Sequence, residues 1–85
     1  MLELNEACAV ALEEAGKSYE DSELQVCTDI GDRFVFSVGF EGHSIKGAPL
    51  ITVDKKSGAI GYLNLPNPEV FKLLRNGTVI DIAGA

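Results

Sequence analysis

Apolar residues return every three or four positions from Leu4 to Ala15 (Leu4, Cys8, Ala11, Leu12, Ala15), with Glu6, Glu13 and Glu14 off the stripe. This spacing predicts an amphipathic helix of about three turns. Asn5 could cap it at Glu6, or the helix could begin nearer Leu2, and Gly16 followed by Lys17 suits its C-terminal end. Ala7, Cys8, Ala11 and Ala15 are small, so the helix can lie close against a sheet.

After the polar stretch from Lys17 to Glu23 the period changes to two. Leu24 to Ile30 predicts a strand with Leu24, Val26, Thr28 and Ile30 on one side and Gln25, Cys27 and Asp29 on the other. Gly31-Asp32 is a turn signal. Arg33 to Phe40 then places Phe34, Phe36, Val38 and Phe40 on one face, a strong core signal that calls for a central strand facing the helix. Val35, Ser37 and Gly39 form the opposite, weakly polar face.

Glu41 to Gly47 is expected to be a flexible loop bracketed by Gly42 and Gly47. Pro49 precedes the next strand, where a missing donor does least harm. Ile51 to Leu63 reads as a hairpin: Ile51, Thr52 and Val53 suit a pleated surface, Asp54 can accept from the backbone ahead of it, and Gly58 can adopt the left-handed conformation. Asn67 and Pro68 open a short helix from Val70 to Arg75, closed by Asn76-Gly77, with Phe71 and Leu74 as anchors. Thr78 to Ile82 is the last strand. Tight turns between successive strands imply an antiparallel sheet, and the fold class is α+β: an N-terminal helix on one face of four to five strands, with a short C-terminal helix before the last.

Eighty-five residues with 46% hydrophobic and 24% charged side chains describe one folded domain with a thin core. Charge changes the picture more than composition does. Residues 1–23 hold seven acids and one base, which accounts for the whole net charge of −6. Such an acidic pole disfavours nucleic acid and anionic membrane and favours a protein partner with a basic surface. It also serves as a solvated face that keeps the chain soluble. The absence of 18 consecutive apolar residues argues against a spanning helix, and Glu3 and Glu6 stand where a signal peptide needs positive charge, so the expected location is the cytoplasm. Cys8 and Cys27 lack Cys-x-x-Cys spacing and are expected to be buried free thiols.

The search for chemistry returns little. His43 is the single histidine, and apolar surroundings would blunt either cysteine as its nucleophilic partner. Glu13-Glu14 and Glu20-Asp21 are sequence neighbours that diverge rather than form an acid–base couple. Asp29, Asp32 and Asp54 fall where turns use carboxylates as backbone acceptors, and the lysines after Asp54 are explained by solvent. No scattered glycine opens a helix as a phosphate cradle. The expectation is therefore a non-enzyme without metal or cofactor. Its candidate partner-binding residues are Glu13, Glu14, Glu20 and Asp21 on the acidic pole and Glu41, His43 and Lys46 in the glycine-bracketed loop. The alternative is a structural or accessory protein acting as a homo-oligomer, a homodimer included, through an exposed sheet edge or the Val35/Ser37/Gly39 face.

The helix from Asn5 to Gly16, the paired strands and the hairpin Val53-Asp54-x-x-Ser57-Gly58-x-Ile60 together resemble the PepSY-like pattern. They are also similar to small bacterial immunity proteins of polymorphic toxin systems. The similarity covers residues 5–63 loosely and Val53 to Gly58 closely, and the stretch from Leu65 to Ile82 extends beyond it. It implies a non-enzymatic domain that binds and inhibits a protein: a peptidase for the PepSY-like set, a toxin for the immunity set.

Overall fold

The computed structural model describes residues 2–18, 23–40, 43–44, 50–63 and 67–80. The elements run α1 (Leu4–Ser18), β1 (Glu23–Asp29), β2 (Arg33–Phe40), β3 (His43–Ser44), β4 (Leu50–Asp54), β5 (Ile60–Leu63), α2 (Pro68–Asn76) and β6 (Thr78–Ile80). The strands form one antiparallel sheet in the order β5-β4-β2-β1-β6, with β3 paired to the end of β2. The fold is α+β, with α1 packed on one face and α2 preceding the last strand.

On the α1 side, Ala7, Cys8, Ala11 and Ala15 are buried against Leu24, Cys27, Phe34, Phe36, Val38, Ile51 and Val53. The small helix residues bring the backbone close to the three inner strands β1, β2 and β4, and the phenylalanines fill the space between. Phe34 and Phe36 do face the helix; the side chain of Phe40 lies outside the described residues. α1 begins earlier than Asn5 capping implies, because the Glu3 carbonyl accepts the Ala7 N–H at 3.0 Å. It also continues through Gly16 to Ser18. Lys17 bonds Glu14 one turn back at 3.3 Å, and that pairing favours the added turn over a stop at glycine.

β1 departs from simple alternation. Leu24 pairs with Val38 but Val26 pairs with Ser37, so Gln25 is the extra residue of a bulge. The bulge turns Cys27 rather than Val26 in line with Leu24, leaving Cys27 fully buried and Val26 exposed. Phase is lost whenever one strand of a pair gains a residue, which is why the period-two reading fails here.

The second face of the sheet is also occupied. Val35, Leu50 and Val70 form a smaller buried cluster joined by Ile30, Leu63 and Leu74. The chain leaves edge strand β5, crosses this face as α2, and enters β6 at the opposite edge. Val35 is thus covered by α2 rather than open to a copy of the chain. Asn67 caps α2 as expected, its side chain accepting the Glu69 N–H at 2.9 Å. The anchor, however, is Val70 with Leu74, one turn apart, and Phe71 is half exposed. Gly77 ends α2 for a packing reason: its φ is −85°, ordinary for any residue, but a Cβ there would lie 2.6 Å from Thr28 Cγ2.

His43 and Ser44 are a short strand paired antiparallel with Phe40 and Gly39 at the end of β2, not part of a loop. The rest of the expected Glu41 to Gly47 loop, and Ile82, lie outside the described residues.

Candidate functional site

The turn between β4 and β5 is built by Asp54. Its Oδ1 accepts the Lys56 N–H at 2.8 Å and the Ser57 N–H at 3.0 Å, and Gly58 closes the loop at φ 75°. These donors favour the ionised carboxylate and hold the Asp54 pKa below its usual range, the Ser57 bond first. The carboxylate is therefore committed to the turn. Lys55 is committed too, contrary to the expectation that solvent explains both lysines. Its Nζ donates to Asp29 Oδ1 at 2.7 Å and lies 4.8 Å from the Phe34 ring centre. Asp29 Oδ1 also accepts the Gly31 N–H at 2.9 Å, and the Lys55 bond leads in lowering its pKa. A cleft of about 300 Å³ between these two turns is lined by Gly31, Asp32, Asp54, Lys55 and Lys56. Of the side chains there, the turn occupies Asp54 and Asp29 holds Lys55.

Both cysteines are buried and free. Burial pushes the Cys27 thiol up to about 12, with Cys8 adding to the rise, and raises Cys8 as well. Neither thiol is poised as a nucleophile. Among the described residues no three His, Cys, Asp or Glu side chains converge as a metal site. No helix among them is long and apolar enough to cross a membrane.

The acidic side chains have a more definite setting. Glu13 is exposed on α1, while Glu14, on the next residue, turns toward edge strand β5 and accepts a hydrogen bond from the Tyr62 hydroxyl. That bond, followed by the one from Lys17, holds the Glu14 pKa below its usual range; the same contact raises that of Tyr62. Tyr62 and Ile60 pair with Ile51 and Val53, two core residues beneath α1, so both project on the helix side of the sheet. They are nonetheless 50% and 39% exposed, because α1 lies over the central strands and leaves β5 uncovered. A helix carboxylate, paired with Lys17, and an apolar edge strand are thereby brought together.

Of the residues singled out from sequence, Glu14 belongs to this surface, while Glu13 is exposed on the side of α1 away from the buried Ala7, Ala11 and Ala15. His43 sits elsewhere, on β3 against Phe40. Glu20, Asp21, Glu41 and Lys46 lie outside the described residues. Sequence reasoning missed Ile60 and Tyr62: the signal was Ile60-Gly61-Tyr62-Leu63, a strand without charge or proline, but nothing local marks it as an edge.

Compared with known proteins, the chain matches no protein-family model, no curated protein and no solved structure.

Proposed function

We propose that this chain is a small non-catalytic protein-binding module of the immunity or inhibitor type, acting in the cytoplasm by occupying the surface of a toxin or peptidase. The observation that carries this reading is the Glu14–Tyr62 contact, which joins the acidic helix α1 to the exposed apolar side chains of β5. Acidic residues around an apolar patch suit a partner with a basic surface, the charges steering encounter and the apolar groups supplying contact. The resemblance of the Val53 to Gly58 hairpin to PepSY-like and immunity proteins supports the same class. Co-purification from the native host at low and high salt tests it. A basic protein retained at low salt and released as salt rises is the expected result, and recovery of no partner at any salt would overturn the reading.

A second reading, a homo-oligomer through a sheet edge, has its own observation. Val79 on edge strand β6 is 68% exposed. Sedimentation at several concentrations separates the two, since a monomer throughout removes this option.

A further inference from the structure

We propose that Asn76-Gly77, where α2 passes into β6, is a site of covalent self-modification: the pair closes to a cyclic imide, opens to isoaspartate, and so releases β6 from the sheet. The sequence supplies the reactive pair. The fold supplies the consequence.

Asn76-Gly77 is the one Asn-Gly pair in the chain. Glycine in the second place leaves the backbone nitrogen unshielded, because it carries no side chain. The other three asparagines precede Glu6, Leu65 and Pro68. Glutamate and leucine side chains crowd the nitrogen, and proline has no N–H to lose. Asn76 is exposed and is the last residue of α2, so the chain beyond it is already out of the helix.

The nitrogen is lightly held. Gly77 N–H donates to the Leu74 carbonyl at 3.2 Å, the long end of the hydrogen-bond range, at a helix terminus of the kind that frays. Once that bond opens, the Gly77 nitrogen gives up its proton and attacks the Asn76 side-chain carbonyl carbon. The new N–Cγ bond closes the ring; the bond from Cγ to the side-chain nitrogen breaks, and that nitrogen leaves with a proton as ammonia. Water then opens the ring. Attack at Cγ gives aspartate, whereas attack at the former backbone carbonyl gives isoaspartate, in which the main chain runs through Cβ and Cγ. Neither step calls for an oxidant or a reductant.

β1 leaves no room for the longer backbone. A Cβ on Gly77 would lie 2.6 Å from Thr28 Cγ2, 2.9 Å from the Asp29 carbonyl oxygen and 3.1 Å from Ile30 Cγ2. Isoaspartate adds one methylene to the main chain immediately before that seat. It also leaves a carboxylate at the C-terminal end of α2, where the helix dipole is negative. β6 is an edge strand of three residues, held by the pairs Asp29–Thr78, Thr28–Val79 and Cys27–Ile80. Displacing Gly77 disturbs that register and draws Ile80 away from the core beneath α1. Aspartate at the same position keeps the backbone length and leaves the strand in place.

The test incubates the intact chain in mildly alkaline buffer beside Asn76→Ser and freshly prepared Asn76→Asp. Peptide mapping locates the conversion of amide to acid, and enzymatic methylation of isoaspartate distinguishes the two products. Conversion is expected in the peptide that holds Asn76, with isoaspartate among the products, and several-fold faster in denaturing urea, where the Gly77–Leu74 bond is open. The isoaspartate form should lose amide protection at Thr78 to Ile80 and unfold at lower urea than fresh protein. Asn76→Asp should keep both properties, and Asn76→Ser should take no methyl label. No conversion, conversion spread over the other asparagines, aspartate alone, equal rates with and without urea, or an isoaspartate form that keeps β6 protected would each overturn the proposal.

Discussion

Lys55 reaches from the β4–β5 turn to Asp29 at the end of β1, and its 2.7 Å bond ties together two hairpins that are 26 residues apart in sequence. The same ammonium lies over the Phe34 ring, 4.8 Å from its centre. One side chain therefore closes the end of the sheet on the α1 side, where Lys55 also donates its backbone N–H to the Asp32 carbonyl at 3.1 Å.

Lys55→Met keeps the stem and removes the charge, and is expected to cost about 1 kcal/mol at neutral pH for this partly buried, charge-assisted bond. The acid side of the stability curve should change as well. The folded Asp29 pKa lies below its unfolded value, so this stabilisation is present above about pH 4 and is lost as pH falls through the folded value. Urea denaturation from pH 7 to pH 3 should show a shallower acid decline in the variant.

Three glycines should respond differently to alanine. Gly16 is helical with nothing within 4 Å of an added Cβ, so Gly16→Ala should stabilise by about 0.5–1 kcal/mol. Gly58→Ala forces φ 75° on a residue with a Cβ and should cost about 1–2 kcal/mol. Gly77→Ala should cost about 1–3 kcal/mol, because the Asp29 carbonyl at 2.9 Å is backbone and cannot step aside. Thermal or urea denaturation of the three variants checks the order.

Val70 and Phe71 give a second contrast. Val70→Ala empties a buried position under the smaller cluster and should cost about 1–2.5 kcal/mol. Phe71→Ala, at a half-exposed site, should stay within about 0.5 kcal/mol. Equal losses would show that α2 is anchored differently.

Cys27 predicts a weakness at high pH. Its folded pKa of about 12 lies above the ordinary thiol value of 9.0, so the unfolded chain releases its proton first and stability falls as pH rises from about 9 toward 12. Below pH 9 the contribution is fully present. Cys27→Ala should flatten that alkaline decline while lowering stability at neutral pH through the lost volume. Both native thiols should resist a disulfide exchange reagent at pH 8 until denaturant is added.

Local patterns in the chain were sufficient for much of this architecture. The small-residue stripe of α1, the Phe34/Phe36/Val38 face, the Asp54–Gly58 turn and the Asn67 cap depend on neighbours within a few residues, and their periodicity and capping chemistry were legible directly. So was the acidic first quarter of the chain. Local sequence does not encode what depends on distant partners. The bulge at Gln25 arises from pairing with β2 and reverses which residue is buried, Cys27 instead of Val26. Val35 is buried only because α2 crosses its face. Lys55 looks like a solvated turn residue until Asp29 and Phe34 arrive beneath it. The candidate surface follows the same division: Glu14 could be chosen from its charge, but Ile60 and Tyr62 could not. Being an edge is a property of strand order, and strand order is decided by long-range packing. By itself the sequence determined all the elements but β3, and the sign of the surface charge; tertiary structure decided that α1 covers the inner strands, leaves β5 open, and sets Glu14 against Tyr62 at that edge.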